Sequence, residues 1–276
     1  MSTDVPKDRY FESGGLRLHY LEWGDVNSTP LVLLHHVGSQ AHAWDDFARR
    51  MSPDYHVLAL DLRGHGDSDW ADAQRYTTED YASDVVALAA RLNLSKTIVL
   101  GGSLGGRVAL VYAAQNPEIV DALIMEDVGP VRPEEIARGL ADRVSAGEVE
   151  FDTVEEWADH MRGDNTRTPS EAFLHNARHA TKRLRNGKLR LKRDPGTSQG
   201  FVPLKLWDYV ERIRSPFLLV VGSESAIVTA DQREGVLRII PDSELVEIEG
   251  AGHIIVQDRP EDFEQAVRHF LTNHGL

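Results

Sequence analysis

The chain contains the hexapeptide Gly101-Gly102-Ser103-Leu104-Gly105-Gly106, directly after an apolar run at residues 97–100. Helix-forming residues follow it at 107–115. A serine between a strand and a helix, in the pattern Gly-x-Ser-x-Gly, is typical of a nucleophile elbow. The flanking glycines are needed because a Cβ two residues from the serine would collide with the neighbouring turn. The pattern predicts Ser103 as a nucleophile, with the N–H of Leu104 facing the same space.

Around this motif, short β-rich runs alternate with helix-like segments. The alternation predicts an α/β fold with a mostly parallel sheet and helices on both faces. Polar helical segments replace the alternation between about residues 130 and 205. We therefore expect a core domain at 1–130 and 206–276, with a helical cap (lid) inserted at 131–205. Predicted strands cover 16–23, 31–35, 56–60, 97–100, 122–126, 217–221 and 245–248, and predicted helices cover 44–51, 78–92, 107–115, 229–239 and 260–274.

Composition narrows the function further. With 276 residues, 41% of them hydrophobic, the chain can bury a full core. It contains no cysteine, which excludes disulfides, thiolate metal ligands and cysteine nucleophiles. The net charge of −14 argues against a nucleic-acid partner. No apolar run approaches the roughly 20 residues of a membrane span, and residues 1–7 lack a signal-peptide core. These features predict a cytoplasmic enzyme that does not enter the membrane.

Four segments together resemble the α/β-hydrolase family, in the family's order. They are Leu33-Leu34-His35-His36-Val37-Gly38, then residues 61–68 (Asp-Leu-Arg-Gly-His-Gly-Asp-Ser), the elbow, and Gly250-Ala251-Gly252-His253. The match covers nearly all of the chain outside the cap. It implies eight mainly parallel strands, a lid over the active site, and a triad of nucleophile, acid and histidine.

The chemistry of a serine nucleophile requires a base and an oxyanion site. His253 is the candidate base, because it lies in a glycine-rich loop after a strand, from which a side chain can reach back over the elbow. The family resemblance implies that the N–H of Val37 joins that of Leu104 as an oxyanion donor. We expect His35 to support this loop. The mechanism requires no metal and no cofactor.

The acid departs from the family's commonest pattern. Most relatives carry an aspartate in the loop that reads Gly222-Ser223-Glu224-Ser225-Ala226 here, and Ser225 cannot supply a charge to an imidazolium. Some hydrolases of this fold place the acid at the end of the preceding strand, within residues 125–130. Asp127 falls in the matching column and is the predicted acid. The alternatives are Glu126 or Glu224 as the acid, and a purely structural capping role for Asp127.

The residues that shape the pocket are less defined. His36 stands where relatives nearly always have glycine, so its side chain either narrows the pocket or adds a polar contact. Basic residues within 178–193 can attract a carboxylate-bearing substrate, although a solvated or salt-bridged face is the preferred interpretation. Apolar cap residues are candidates for the roof of the pocket or for the cap core: Phe173, Leu174, Phe201 and Trp207.

The sequence therefore predicts a serine hydrolase that cleaves a small ester, amide or lactone through an acyl-enzyme. Residues 126–130, 137–151 and 222–228 resemble an amide-cleaving branch of the family. Three other functions on this fold remain open: a carbon–carbon bond hydrolase, a cofactor-independent dioxygenase and a non-catalytic ligand receptor. Halide and epoxide chemistry is disfavoured, since those relatives carry aspartate at the elbow. The expected partner is a small-molecule substrate, bound by a monomer or a homodimer.

Overall fold

The structure is a computed structural model that describes residues 5–132, 149–199 and 205–276. Its strands alternate along the chain with the helices. The strands are β1 (Lys7–Ser13), β2 (Leu16–Trp23), β3 (Thr29–Leu34), β4 (Tyr55–Leu60), β5 (Thr97–Gly102), β6 (Val120–Glu126), β7 (Thr181–Arg183), β8 (Leu189–Leu191), β9 (Phe217–Gly222) and β10 (Ser243–Ile248).

The described helices begin with a short 3₁₀ helix, Ala41–Trp44. The α-helices are α1 (Asp45–Met51), α2 (Thr78–Arg91), α3 (Leu104–Gln115), α4 (Val154–Arg162), α5 (Ser170–Ala180), α6 (Gly196–Gln199), α7 (Trp207–Val210), α8 (Ala230–Ile239), α9 (Ile255–Asp258) and α10 (Pro260–Asn273). No helix within these described ranges is long and apolar enough to cross a membrane.

Eight strands form one sheet in the order β1-β2-β4-β3-β5-β6-β9-β10. The pairs from β4 to β10 are parallel, and β2 pairs antiparallel with both β1 and β4. The predicted fold, a mostly parallel eight-stranded sheet between helices, is confirmed. The sequence analysis missed β1, whose residues are mostly exposed because it is the edge strand.

Side-chain alternation along the central strands divides the core into two clusters, one on each face of the sheet. Val32 and Leu34 of β3 belong to the cluster that also holds Val108 of α3. Leu31 and Leu33 belong to the cluster with Phe263 of α10. This arrangement follows from the period of two along a strand, and it explains why central strands read as continuous apolar runs.

The parallel strands end at the same edge of the sheet. The loops that follow β5, β6, β9 and β10 all leave from their carboxyl ends, so residues far apart in sequence meet there. In open α/β sheets this edge is where ligands bind. The candidate site therefore lies where the topology favours one.

The described part of the cap contains α4, α5 and a two-stranded hairpin of β7 and β8, which pair antiparallel. Trp157 and Ala177 centre a small apolar core between the two helices, and Phe173 and Leu174 pack against it. The cap was predicted to be helical. It also contains an extended hairpin, because the chain turns back on itself within residues 181–191. Phe201, and residues 137–148 of the stretch that resembles the amide-cleaving branch, lie outside the described residues. The domain limits remain a prediction.

A buried ion pair fixes the long loop after β4. Arg63 and Asp84 are both fully buried and joined by two hydrogen bonds of 2.7 Å. The hydroxyl of Ser13 donates to the same carboxylate at 2.6 Å. Such a bidentate pair orders the loop, since both charges are buried away from bulk solvent.

Candidate active site

Ser103 occupies the turn between β5 and α3, with φ 52° and ψ −109°. Only a tightly packed turn holds a non-glycine residue in this strained region. A Cβ on Gly101 would lie 2.2 Å from the carbonyl oxygen of Gly105, and one on Gly105 would lie 2.1 Å from that of Leu34. The two glycines of the motif are therefore required by close backbone approaches, and Ser103 remains partly exposed at the strand end.

The structure brings His253 to Asp127, 126 residues apart in sequence. The Nδ1 atom of His253 lies 2.7 Å from Oδ2 of Asp127. The Asp127 side chain is fully buried, whereas that of His253 is 34% exposed. If Nδ1 carries the proton and donates it to the carboxylate, Nε2 keeps a free lone pair. The imidazole is then oriented and ready to accept a proton on its exposed side.

Asp127 itself adopts a left-handed backbone conformation, with φ 44°. Aspartate and asparagine tolerate this region better than most residues. The N–H of Asp127 donates to the carbonyl of Val220 on the neighbouring strand at 2.8 Å. Glu126 is the last residue of β6, so the Asp127 side chain lies beyond the strand and has different surroundings.

Glu126 lies fully buried beneath the elbow. Its Oε1 accepts a hydrogen bond from the N–H of Val256 at 2.8 Å, and its Oε2 lies 3.5 Å from Nε2 of His36. Burial, followed by the neighbouring charge of Asp127, raises the pKa of Glu126 to about 8. Burial, followed by repulsion from His253, holds the pKa of His36 well below its ordinary value. Both shifts favour the neutral forms, and neither Nε2 of His36 nor Oε2 of Glu126 has a hydrogen-bond partner among the described residues.

The surroundings of His36 bear on the role that the sequence left open. The side chain is 7% exposed. Its ring packs edge-on against His253, with centroids 5.4 Å apart, and near Trp44 at 6.5 Å. The contacts favour the polar-contact alternative over a wall of the pocket. The close approach of Glu126 to His36 could not be predicted from the sequence, because nothing in their spacing links a loop residue to the end of β6.

His35 holds the loop that carries Val37. Its Nε2 accepts a hydrogen bond from the N–H of Leu62 at 3.0 Å, so its Nδ1 must carry the proton that it donates to the carbonyl of His36 at 2.7 Å. The N–H of Ser39 donates to the same carbonyl. The C=O of His36 and the N–H of Val37 belong to one planar trans peptide and point in opposite directions. The Val37 N–H therefore points away from the buried His35.

The N–H of Leu104 is the first of α3 and has no partner within the helix. The helix dipole places partial positive charge at this end. Together, the two predicted donors come from a loop fixed by His35 and from a helix start fixed by the elbow. Both are rigid before any ligand binds.

The loop after β9 contains two residues that the sequence singled out. The hydroxyl of Ser225 donates to Oδ2 of Asp127 at 2.5 Å, so this serine supports the acid from the family's usual acid position. The sequence could have indicated this contact, because a side chain at the family's usual acid position faces the same histidine. Glu224 instead pairs with Arg167 at 2.9 Å and is 51% exposed. It makes no described contact with His253.

The apolar cap candidates have packing roles. Phe173 joins the cap core. Trp207 packs against the main core, and its ring occupies the space that a Cβ on Gly235 would need. The structure therefore favours core over roof for both residues.

Much of the basic stretch is engaged with neighbours. Lys192 pairs with Asp67 at 2.8 Å, Lys188 pairs with Asp152 at 2.9 Å, and Lys182 lies 4.6 Å from the centre of the Trp70 ring. These contacts agree with the salt-bridged face that the sequence analysis preferred.

Comparison with known proteins places this geometry in a family. The model of the alpha/beta hydrolase fold matches residues 29–260. A Bacillus subtilis (strain 168) protein provisionally named 2-succinyl-6-hydroxy-2,4-cyclohexadiene-1-carboxylate synthase is 30% identical over 268 residues, or 95% of this chain and 97% of that protein. The 2-(acetamidomethylene)succinate hydrolase of Mesorhizobium japonicum is 27% identical over 278 residues, or 98% and 99%.

A solved structure agrees with these relatives. The crystal structure of E-2-(acetamidomethylene)succinate hydrolase superimposes with a TM-score of 0.89 at 26% identity, covering 97% of this chain and 99% of that one. The chain belongs to the α/β-hydrolase family and is a hydrolytic enzyme. The resemblance to an amide-cleaving branch is likewise confirmed.

Proposed function

We propose that this protein is a serine hydrolase that cleaves a small ester or amide, with Ser103 as nucleophile, His253 as base and Asp127 as the orienting acid. The observation that carries the proposal is the 2.7 Å contact between His253 Nδ1 and the buried Asp127 carboxylate, at the sheet edge where the elbow ends. A histidine oriented by a buried acid beside an elbow serine is the arrangement that activates a hydroxyl.

In the first half of the reaction, the Ser103 oxygen attacks the substrate carbonyl carbon while its proton moves to His253 Nε2. The N–H groups of Val37 and Leu104 bind the resulting oxyanion. The tetrahedral intermediate collapses, the carbon–oxygen or carbon–nitrogen bond breaks, and the leaving alcohol or amine takes the proton from His253. An acyl group remains on Ser103.

Water completes the cycle. His253 removes a proton from a water molecule that attacks the acyl carbon, and then returns it to Ser103 as the carboxylic acid leaves. Asp127 stays ionised throughout and stabilises the imidazolium. An amide substrate agrees with the relatives described above, one of which is named 2-(acetamidomethylene)succinate hydrolase.

A fluorophosphonate probe tests the nucleophile directly. Mass spectrometry of the labelled protein should place the adduct on Ser103 alone, because only a serine with a base and oxyanion donors reacts readily. The Ser103→Ala variant should lose labelling and about five to six orders of magnitude in turnover of a chromogenic ester. Ser223→Ala, which changes a serine in a neighbouring loop, is the matched control and should label normally. Labelling elsewhere, or normal turnover by Ser103→Ala, contradicts the proposal.

A further inference from the structure

The cap helix α5 meets the core through four polar side chains that the proposed mechanism does not use. His175 and His179 lie one turn apart on α5, and His42 and Asp45 lie three residues apart where the 3₁₀ helix passes into α1. We call these four residues the cap–core cluster. Two histidines at i and i+4 on one helix face form a spacing that proteins use to hold a metal ion.

The cluster is compact. One ligand atom from each of His42, Asp45 and His179 can be chosen so that all three lie within 4.8 Å of one another. Oδ2 of Asp45 lies 3.0 Å from Nδ1 of His42 and 3.1 Å from Nε2 of His175. The rings of His42 and His179 stack with centroids 3.7 Å apart. Three histidines, one from the core and two from the cap, thus surround one carboxylate.

Asp45 supplies a second, independent observation. Its Oδ1 atom is buried and has no hydrogen-bond partner among the described residues. A buried carboxylate oxygen without a donor is costly unless a cation or water meets it. Another group in the molecule, of His19, Asp61 and Asp67, has similar compactness. There, however, the Asp61 oxygens already accept from His19 and from the backbone N–H groups of Ala41 and Asp67.

We propose that the cap–core cluster binds one divalent transition-metal ion of the Zn²⁺ type, with His42, Asp45 and His179 as ligands and His175 as the fourth. Imidazole and carboxylate donors in a set of four suit Zn²⁺ and its neighbours, whereas Mg²⁺ and Ca²⁺ prefer oxygen ligands alone. Ligands at about 2.1 Å in a tetrahedron lie about 3.4 Å apart. The partly exposed rings of His42 and His179 reach that geometry by turning out of their stack.

The position of the site gives it a consequence for the cap. The ion joins α5 to the turn that follows the loop of Val37. A groove of about 520 Å³ opens beside it between cap and core, lined in part by His42, Asp45 and His175. Metal binding therefore fixes the cap helix next to the oxyanion loop, and it stabilises the folded protein by mass action.

Isothermal titration calorimetry of the tag-free protein with ZnCl₂ tests the proposal. The wild type should bind about one ion per chain, and His42→Ala and His179→Ala should each weaken binding by more than about tenfold, since even a partner of a ligand is worth about 10–100-fold. His160→Ala, an exposed histidine on the adjacent cap helix, is the matched control and should bind like the wild type. Co²⁺ in place of Zn²⁺ should give the visible absorption of a tetrahedral site, which the two ligand variants lose.

Circular dichroism shows whether each variant folds. If His179→Ala does not fold, His179→Gln takes its place. Two outcomes overturn the proposal. One is the absence of saturable binding up to about 1 mM Zn²⁺. The other is binding that persists in the His42 and His179 variants but disappears in His253→Ala, which would put the ion at the catalytic residues. Neither outcome affects the proposed hydrolase mechanism, because that mechanism uses none of the cluster residues.

Discussion

Two buried carboxylate regions of this molecule differ in how their charges are balanced. In the loop anchor, formed by Arg63 and Asp84, each charge meets its opposite through two short hydrogen bonds. In the strand-end region, formed by Ser103, Glu126 and Asp127, two of the three residues have left-handed backbones, and Glu126 has as its hydrogen-bond donor the uncharged N–H of Val256. Backbone strain and a buried carboxyl group without a charged partner lie where chemistry is expected. The fully hydrogen-bonded ion pair lies where a long loop must be held in place.

Among changes to the carboxylates of these two regions, removing the Asp127 charge should produce the largest effect. We expect Asp127→Asn to lower the turnover of a chromogenic ester by about four orders of magnitude, because the imidazole loses both its tautomer control and its countercharge. Asparagine tolerates the left-handed backbone at this position, so the fold should survive. Steady-state kinetics and circular dichroism together separate the two effects.

Two variants accompany that measurement. Ser225→Ala should cost no more than about tenfold, since it removes one neutral donor worth about 1 kcal/mol. Glu224→Gln, which changes only an exposed pair with Arg167, should resemble the wild type. If Glu224→Gln or Glu126→Gln proved as damaging as Asp127→Asn, the assignment of the acid would be wrong.

Breaking the loop anchor should affect stability. Asp84→Asn leaves the buried Arg63 guanidinium without its main countercharge, so the free energy of unfolding should fall by about 3–5 kcal/mol. Urea denaturation measures the change. The matched control is Asp121→Asn, which removes an exposed pair with Lys96 and should cost less than about 1 kcal/mol. Equal losses in the two variants would contradict the distinction drawn between saturated core pairs and surface pairs.

The most gradual expected effect is a pH dependence from Glu126. Its pKa in the folded protein, about 8, is above its ordinary value of 4.5. Below that ordinary value both folded and unfolded states hold the proton, and the stabilisation is complete. As the pH rises towards 8, the unfolded state releases the proton first, so the free energy of unfolding falls by up to about 1.4 kcal/mol per pH unit.

Glu126→Gln removes this titration. Its free energy of unfolding should therefore rise relative to the wild type between about pH 5 and pH 8, and the difference should become constant above that range. Chemical denaturation at several pH values measures it. A difference that does not change with pH would mean that Glu126 is already ionised in the folded protein. That result would contradict its raised pKa and the comparison drawn between the two regions.

Local sequence predicted most of the core architecture. The strand β2 has its predicted limits, and α2 and α10 differ from theirs by one residue at their ends. Buried central strands and amphipathic helices have strong periodic signals. The exposed edge strand β1 had none and was missed.

What the sequence by itself determined was the set of chemical groups: the elbow serine, the histidine loop and the carboxylates at a strand end. A motif reports which residues a turn requires, because backbone sterics act over a few positions. Only the tertiary structure decided which groups pair. It turned Asp127 towards His253, directed Glu126 towards His36, and brought Ser225 to the acid. Those pairings depend on how strand ends and loops distant in sequence pack together, which no local pattern encodes.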